Sequence, residues 1–103
     1  MTIAAITIWE GTPKGLQMLE EGSKQSAPIH EGMGAKNPRL WRPVAGGEIN
    51  QAIYELQFDN LEAYGKFNDA LMKSDWWSGT QQWMNDNRDE IRNMGTTVLY
   101  DAI

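Results

Sequence analysis

A single imidazole, two arginines three positions apart and three tryptophans crowded into "KSDWWSGTQQWMND" are the side chains of this 103-residue chain best suited to chemistry. His30 is the only histidine, and an imidazole facing a cavity can act as a base or a hydrogen-bond donor. The plainer alternative is a loop or helix-end histidine bonded to backbone. Arg39 and Arg42 fall on opposite faces of one strand, so one of the two is suited to anchor a ligand carboxylate through a bidentate pair, or else both stand as solvated edge-strand cations. Trp76, Trp77 and Trp83 fill a core, line a pocket or seal an interface, since a tryptophan–methionine stripe serves any of these. Other motifs fall away. "NDNRDE" at residues 85–90 lacks the spacing and glycine of a calcium loop and reads as an exposed helix end. "GMGAKN" follows a helix and not a strand, so it is no dinucleotide fingerprint. Neither Ser23 nor Ser26 has a base near it in sequence.

The totals narrow the field further. The chain has room for one domain, 1–103. It contains no cysteine, which removes disulfides and thiol catalysis. One histidine excludes a multi-histidine metal site, and no cofactor is expected. The net charge is −5; residues 1–50 carry five basic and five acidic side chains, residues 51–103 four basic and nine acidic. Nucleic-acid binding needs a basic stripe, and none exists. No apolar run approaches the roughly 20 residues of a membrane span. The N-terminus lacks a signal peptide's positive region, so a cytoplasmic protein is expected.

The elements that must position these residues follow from periodicity. "TIAAITIW", Thr2 to Trp9, is apolar on both alternating faces, as in a strand covered on both sides. Thr12 is a candidate N-cap with Pro13 at the first helical position. A helix is predicted from Gly15 to about Ala27, limited or kinked by Pro28. If it keeps its phase past Pro28, His30 falls about 20° from Leu19, on the sheet side. Arg39 to Ala45 is predicted as an edge strand because it contains Pro43. Gly46-Gly47 would turn into a third strand, Ile49 to Phe58. Asp59, boxed with Glu62, would cap a helix carrying Leu61, Tyr64, Phe67 and Leu71. A second helical stretch follows, from about Ser74 or Ser78 to Arg92, and a last strand from Thr96. The order is β-α-β-β-α-β, an α+β, ferredoxin-like arrangement. Both helical regions would cover one sheet face, leaving the other face of an apolar first strand for a second copy.

The residues "VAGGEINQAIYELQFDNLEAYGKFNDAL" resemble the dimeric α/β-barrel superfamily, in particular its antibiotic-biosynthesis-monooxygenase and NIPSNAP-like groups. The resemblance implies a homodimer of face-to-face four-stranded antiparallel sheets, with a cavity in each subunit between sheet and helices. Glu55 and Gln57 would face the partner, and Tyr54, Leu56 and Phe58 the helices. Related haem-degrading enzymes use a histidine on the second helix, and this chain has none there. Trp9, His30, Arg42, Tyr54, Tyr64, Trp76 and Trp83 are the expected ligand-binding residues, with Trp77 assigned to packing or the dimer surface. The first functional expectation is a binder of an apolar ligand, such as a fatty-acyl chain or polycyclic aromatic. The second is a cofactor-independent monooxygenase or isomerase in which His30 or Tyr64 moves a proton. The third is a non-catalytic interaction protein.

Overall fold

The computed structural model describes all residues, 1–103. Four strands, β1 (Ile3–Gly11), β2 (Lys36–Trp41), β3 (Gln51–Phe58) and β4 (Ile91–Tyr100), form one antiparallel sheet in the order β2-β3-β1-β4. Helices α1 (Pro13–Gly32), α2 (Leu61–Met72) and α3 (Asp75–Asp86) complete the chain. This is the ferredoxin-like βαββαβ fold, with the second helical region broken in two between Met72 and Asp75.

Local chemistry sets the helix ends. The Thr12 side chain accepts from the Gly15 N–H, with Pro13 entering the first turn, as the sequence predicts. Asn60, not Asp59, caps α2 by accepting from the Ala63 N–H at 2.8 Å. Asp59 instead pairs with Lys36 at 2.8 Å. Ser74 caps α3. The helix α1 does not stop near Ala27 but runs through Pro28 to Gly32. Pro28 lies on its exposed side, where the ring meets solvent and not the sheet. The continuous helix keeps the phase that brings His30 to the buried side.

The predicted second strand also shifts. It spans Lys36–Trp41, so Pro38 lies within it and Pro43 beyond it. β2 is nonetheless an edge strand. Its pairing with β3 slips between Lys36 and Arg39, where Asn37 takes a positive φ of 52° and Pro38 has no N–H to donate. That is a bulge placed where an edge tolerates one. The turn at Gly46-Gly47, both at positive φ, belongs to a longer link that ends at β3. β4 begins at Ile91 and not Thr96, and it carries a second irregularity opposite Thr7–Trp9. There Gly95 adopts φ 111°, and its N–H is received by the Asn93 side chain at 2.8 Å.

The helix-facing side of the sheet holds two apolar clusters. Ile3, Ala5, Ala35, Leu56, Phe58 and Phe67 form one; Trp9, Leu16, Leu19, Ala52 and Ile91 form the other. The register places Ala4, Ile6 and Ile8 on the opposite face beside Ile53, Trp41 and Leu99. Nothing within the chain covers that face: Ile8 is 37 % exposed, Leu99 50 % and Trp41 52 %. Glu55 lies at its centre, taking hydrogen bonds from Trp41 Nε1 at 3.0 Å and Gln57 Nε2 at 2.7 Å.

Candidate functional site

Between the helices and the sheet lies a cavity of about 930 Å³. β1 contributes Ala5, Thr7 and Trp9, β3 contributes Tyr54 and Leu56, and the bulged start of β4 contributes Asn93 and Thr96. The floor is polar at one point, where the Thr7 and Thr96 hydroxyls meet at 2.7 Å. The stripe of small residues on α1, Gly22, Ser23 and Ser26, keeps the helix from filling the space beneath it. A Cβ built on Gly22 meets no heavy atom within 4 Å.

Four of the five tryptophans line this cavity: Trp9, Trp76, Trp77 and Trp83. Trp83 stands edge-on to Trp9 with ring centroids 6.2 Å apart. Trp76 donates its indole N–H to Ser26 Oγ at 2.8 Å, tying α3 to α1. Trp77 lies 6.4 Å from Trp76; its place in the cavity corrects its assignment to packing or the dimer surface. The correction has a physical reason. The cavity wraps around α3, which buries no residue, so two adjacent helical faces both meet it.

His30 is the most confined polar residue of the site, 4 % exposed. It occupies the last turn of α1, and its Nδ1 lies 2.8 Å from the Tyr54 hydroxyl. Three aromatic rings meet it edge-to-face: Trp76 at 4.5 Å, Tyr54 at 5.5 Å and Phe67 at 5.8 Å. Its Nε2 has no hydrogen-bond partner. Burial in this aromatic box lowers the imidazole pKa to about 4, so the ring is neutral at pH 7. Burial, and then the Glu31 carboxylate, push the Tyr54 pKa upward. Both partners are therefore neutral, and the pair is a hydrogen bond and not an ion pair.

Tyr64 also lines the cavity and stacks edge-on against Phe58, centroids 5.4 Å apart. Arg42 does not join this set. It lies beyond the end of β2, paired with Glu20 at 3.2 Å and donating to the Ile49 carbonyl at 3.3 Å. It borders a separate cleft of about 360 Å³, which touches the main cavity only through Ser23 and Tyr54. The strand that would have carried Arg42 inward ends at Trp41. The structure thus brings together Trp9, His30, Tyr54, Tyr64, Trp76 and Trp83, leaves Arg42 outside, and adds Trp77. Only Lys14 and Glu21 carry full charge among the lining residues, and both lie on exposed positions of α1. No group of three or more His, Cys, Asp or Glu side chains is placed to hold a metal ion, and no helix is long and apolar enough to cross a membrane.

The fold, with its cavity between one sheet face and the helices, is the ferredoxin-like fold, shared with several solved structures. Among solved structures, a dimeric ferredoxin-like protein from an uncultured marine organism shares it at a TM-score of 0.77 and 8 % identity, over 99 % of this chain and 96 % of that one. A NIPSNAP family protein from Agrobacterium tumefaciens gives a TM-score of 0.73 at 13 % identity, over 99 % and 94 % of the two chains. SnoaB, a cofactor-independent oxygenase from Streptomyces nogalater, gives 0.70 at 8 % identity, over 99 % and 94 %. At such identities the fold alone is shared. No family model matches the chain, and no curated protein matches it.

Proposed function

We propose that this protein binds an apolar small molecule in the cavity between sheet and helices, and does so as a homodimer joined through the open sheet face. The cavity carries the ligand reading. About 930 Å³ lined by four indoles, Tyr54, Tyr64 and Phe67 lies within the range of small-molecule sites, which are mostly apolar with a few fixed polar groups. A chain that only needed a core would have filled the space beneath Gly22 with a larger residue, because interiors pack densely. The dimer rests on the uncovered face of Ile6, Ile8, Ile53, Trp41 and Leu99, an apolar patch of the kind that marks an interface. It also rests on the similarity to a protein described as dimeric.

Native mass spectrometry tests both parts, because it reports stoichiometry and bound mass together. A dimer carrying a small adduct that is released on denaturation supports the reading. Nile red offers a second test. It binds the wild type and is excluded by Gly22→Phe, whose side chain occupies the cavity. Equal Nile red binding by a folded Gly22→Phe protein would refute the cavity as the site.

A second reading, a cofactor-independent oxygenase or isomerase, is favoured by the similarity to SnoaB and by the hydrogen-bonded His30–Tyr54 pair in the cavity wall. In it the substrate supplies the reactivity and the cavity supplies orientation and exclusion of water. Turnover of an activated aromatic that is abolished by His30→Ala would establish it; binding without turnover would leave the first reading. A non-catalytic interaction protein is the outcome if the cavity proves collapsed and empty in a crystal.

A further inference from the structure

We infer that Thr7, Thr96 and Asn93 form the polar subsite of the cavity, a set of free donors on its floor that holds the carbonyl oxygen of an uncharged ligand. This rests on the cavity being a ligand site.

The backbone is arranged to bring these groups together. On the helix-facing side of β1, Thr7 interrupts an otherwise apolar row of Ile3, Ala5 and Trp9. Its neighbours across the sheet are Tyr54 on β3 and Thr96 on β4. From the Thr7–Thr96 pair an unbroken antiparallel ladder would set Met94 opposite Trp9. The observed partner of Trp9 is Asn93. One extra residue in β4 makes the difference, and Gly95 accommodates it at φ 111°, a conformation that glycine adopts without a Cβ penalty. The bulge thus exchanges a thioether for an amide on the cavity face, and re-aiming a side chain is a recurrent use of bulges. A wall meant only to be apolar would keep Met94 there.

The hydrogen bonds already made define what remains free. Thr7 Oγ1 and Thr96 Oγ1 lie 2.7 Å apart, so one hydroxyl donates to the other and the second keeps its proton. Asn93 Oδ1 accepts from the Gly95 N–H at 2.8 Å. That bond fixes the orientation of the amide and leaves Nδ2, with its two protons, no acceptor within the chain. Thr7 is half-buried, Thr96 and Asn93 are exposed, and all three border the cavity, so a guest has access to them. The Tyr54 hydroxyl is already engaged with His30. Free protons on a hydroxyl and an amide suit an oxygen with two lone pairs. The only charged lining residues, Lys14 and Glu21, are opposite in sign and lie on exposed positions of α1. The lining therefore carries no net charge to hold an ionic head, which would bear an uncompensated desolvation penalty. The ligand class is an apolar body with a carbonyl, as in a ketone, lactone or ester.

Fluorenone and fluorene, matched in shape and differing in the carbonyl, form the test by equilibrium dialysis. Wild-type protein should prefer fluorenone about tenfold, equivalent to about 1.4 kcal/mol. Replacing both threonines, Thr7→Val with Thr96→Val, keeps side-chain shape and removes the hydroxyls. Asn93→Asp keeps the acceptor for Gly95 and removes the amide protons. Each change should bring the preference below about threefold, with the loss falling on fluorenone, whereas a purely structural role would weaken both probes alike and keep their ratio. Fluorene-9-carboxylate should bind wild type no better than fluorene. On wild type alone, the Asn93 side-chain amide protons should move downfield on saturation with fluorenone and not with fluorene, which decides the matter if the variants fail to fold. An unchanged ratio in either variant, unmoved Asn93 amide protons, or tighter binding of the carboxylate overturns the inference and leaves the cavity reading standing. Failure of fluorenone and fluorene alike to bind wild type would remove the cavity reading itself.

Discussion

Acidification should unfold this protein through its one histidine earlier than its carboxylates alone would dictate. The native imidazole pKa is lowered from 6.5 to about 4 by burial, while the unfolded chain keeps the ordinary value. Above pH 6.5 both states hold a neutral ring, and His30 contributes no pH dependence. Below it the unfolded state takes up a proton that the native state refuses, so stability falls as pH falls. The slope is about 1.4 kcal/mol per pH unit and the window runs from 6.5 to about 4, giving a total of about 3 kcal/mol. Against a domain stability of about 5–15 kcal/mol that is a large share. Urea melts of wild type and His30→Phe at intervals from pH 7.5 to 4 isolate the effect, because the carboxylates titrate alike in both and cancel in the difference. The wild type should lose about 3 kcal/mol relative to the variant across the window. The histidine Cε1–H resonance, the only one of its kind in the chain, should show no titration near 6.5 in native protein. A flat difference, or a midpoint near 6.5, would refute the claim that burial holds the ring neutral.

The glycines of α1 should respond in opposite directions. Gly22→Ala should stabilise by about 0.4–1 kcal/mol, since its Cβ has open space. Gly15→Ala should cost about 1–3 kcal/mol, because a Cβ there overlaps the Glu90 carbonyl; thermal melts compare the two. Trp83→Ala in ligand-free protein should lose less than about 2 kcal/mol, below the 3–5 typical of a core aromatic, while Nile red binding falls sharply. A full core-sized loss with unchanged probe binding would make Trp83 structural. Ser26→Ala removes the acceptor of the Trp76 indole N–H and should cost about 0.5–1.5 kcal/mol in urea melts, with faster hydrogen exchange in α3. Light scattering at micromolar concentration should give about twice the chain mass, and Ile8→Glu, placing a charge on the open face, should return it to one.

The sequence carries the element order and the strand faces because both follow from short-range patterning. Alternation in "TIAAITIW" separates Ile3, Ala5 and Trp9 from Ala4, Ile6 and Ile8, and the observed register keeps that division. Boundaries are less legible where proline is the guide. Pro28 signals a helix end, yet its exposed position lets α1 continue past it. Pro43 signals an edge strand that is real but lies earlier, around Pro38. His30 could be placed on the inner side of α1 by phase alone, but its bond to Tyr54 could not. That contact spans 24 positions and depends on how closely α1 approaches β3. Trp77 escapes helical phase because phase describes one cylinder against one plane, whereas α3 meets the sheet through Trp83 against Trp9 and borders the cavity with two adjacent sides.

The distribution of indoles gives the protein two optical reporters. Trp9, Trp76, Trp77 and Trp83 line the cavity, while Trp41 alone sits on the open sheet face, its N–H bonded to Glu55. A guest in the cavity should quench the first group, and covering the sheet should blue-shift the second. The Trp9–Trp83 and Trp76–Trp77 pairs, 6.2 and 6.4 Å apart, are close enough for their transitions to couple. Occupancy should then alter the near-ultraviolet circular dichroism, whereas association through Trp41 should leave that couplet alone. Replacing Trp41 with phenylalanine would make the remaining emission report the cavity alone, with no external dye.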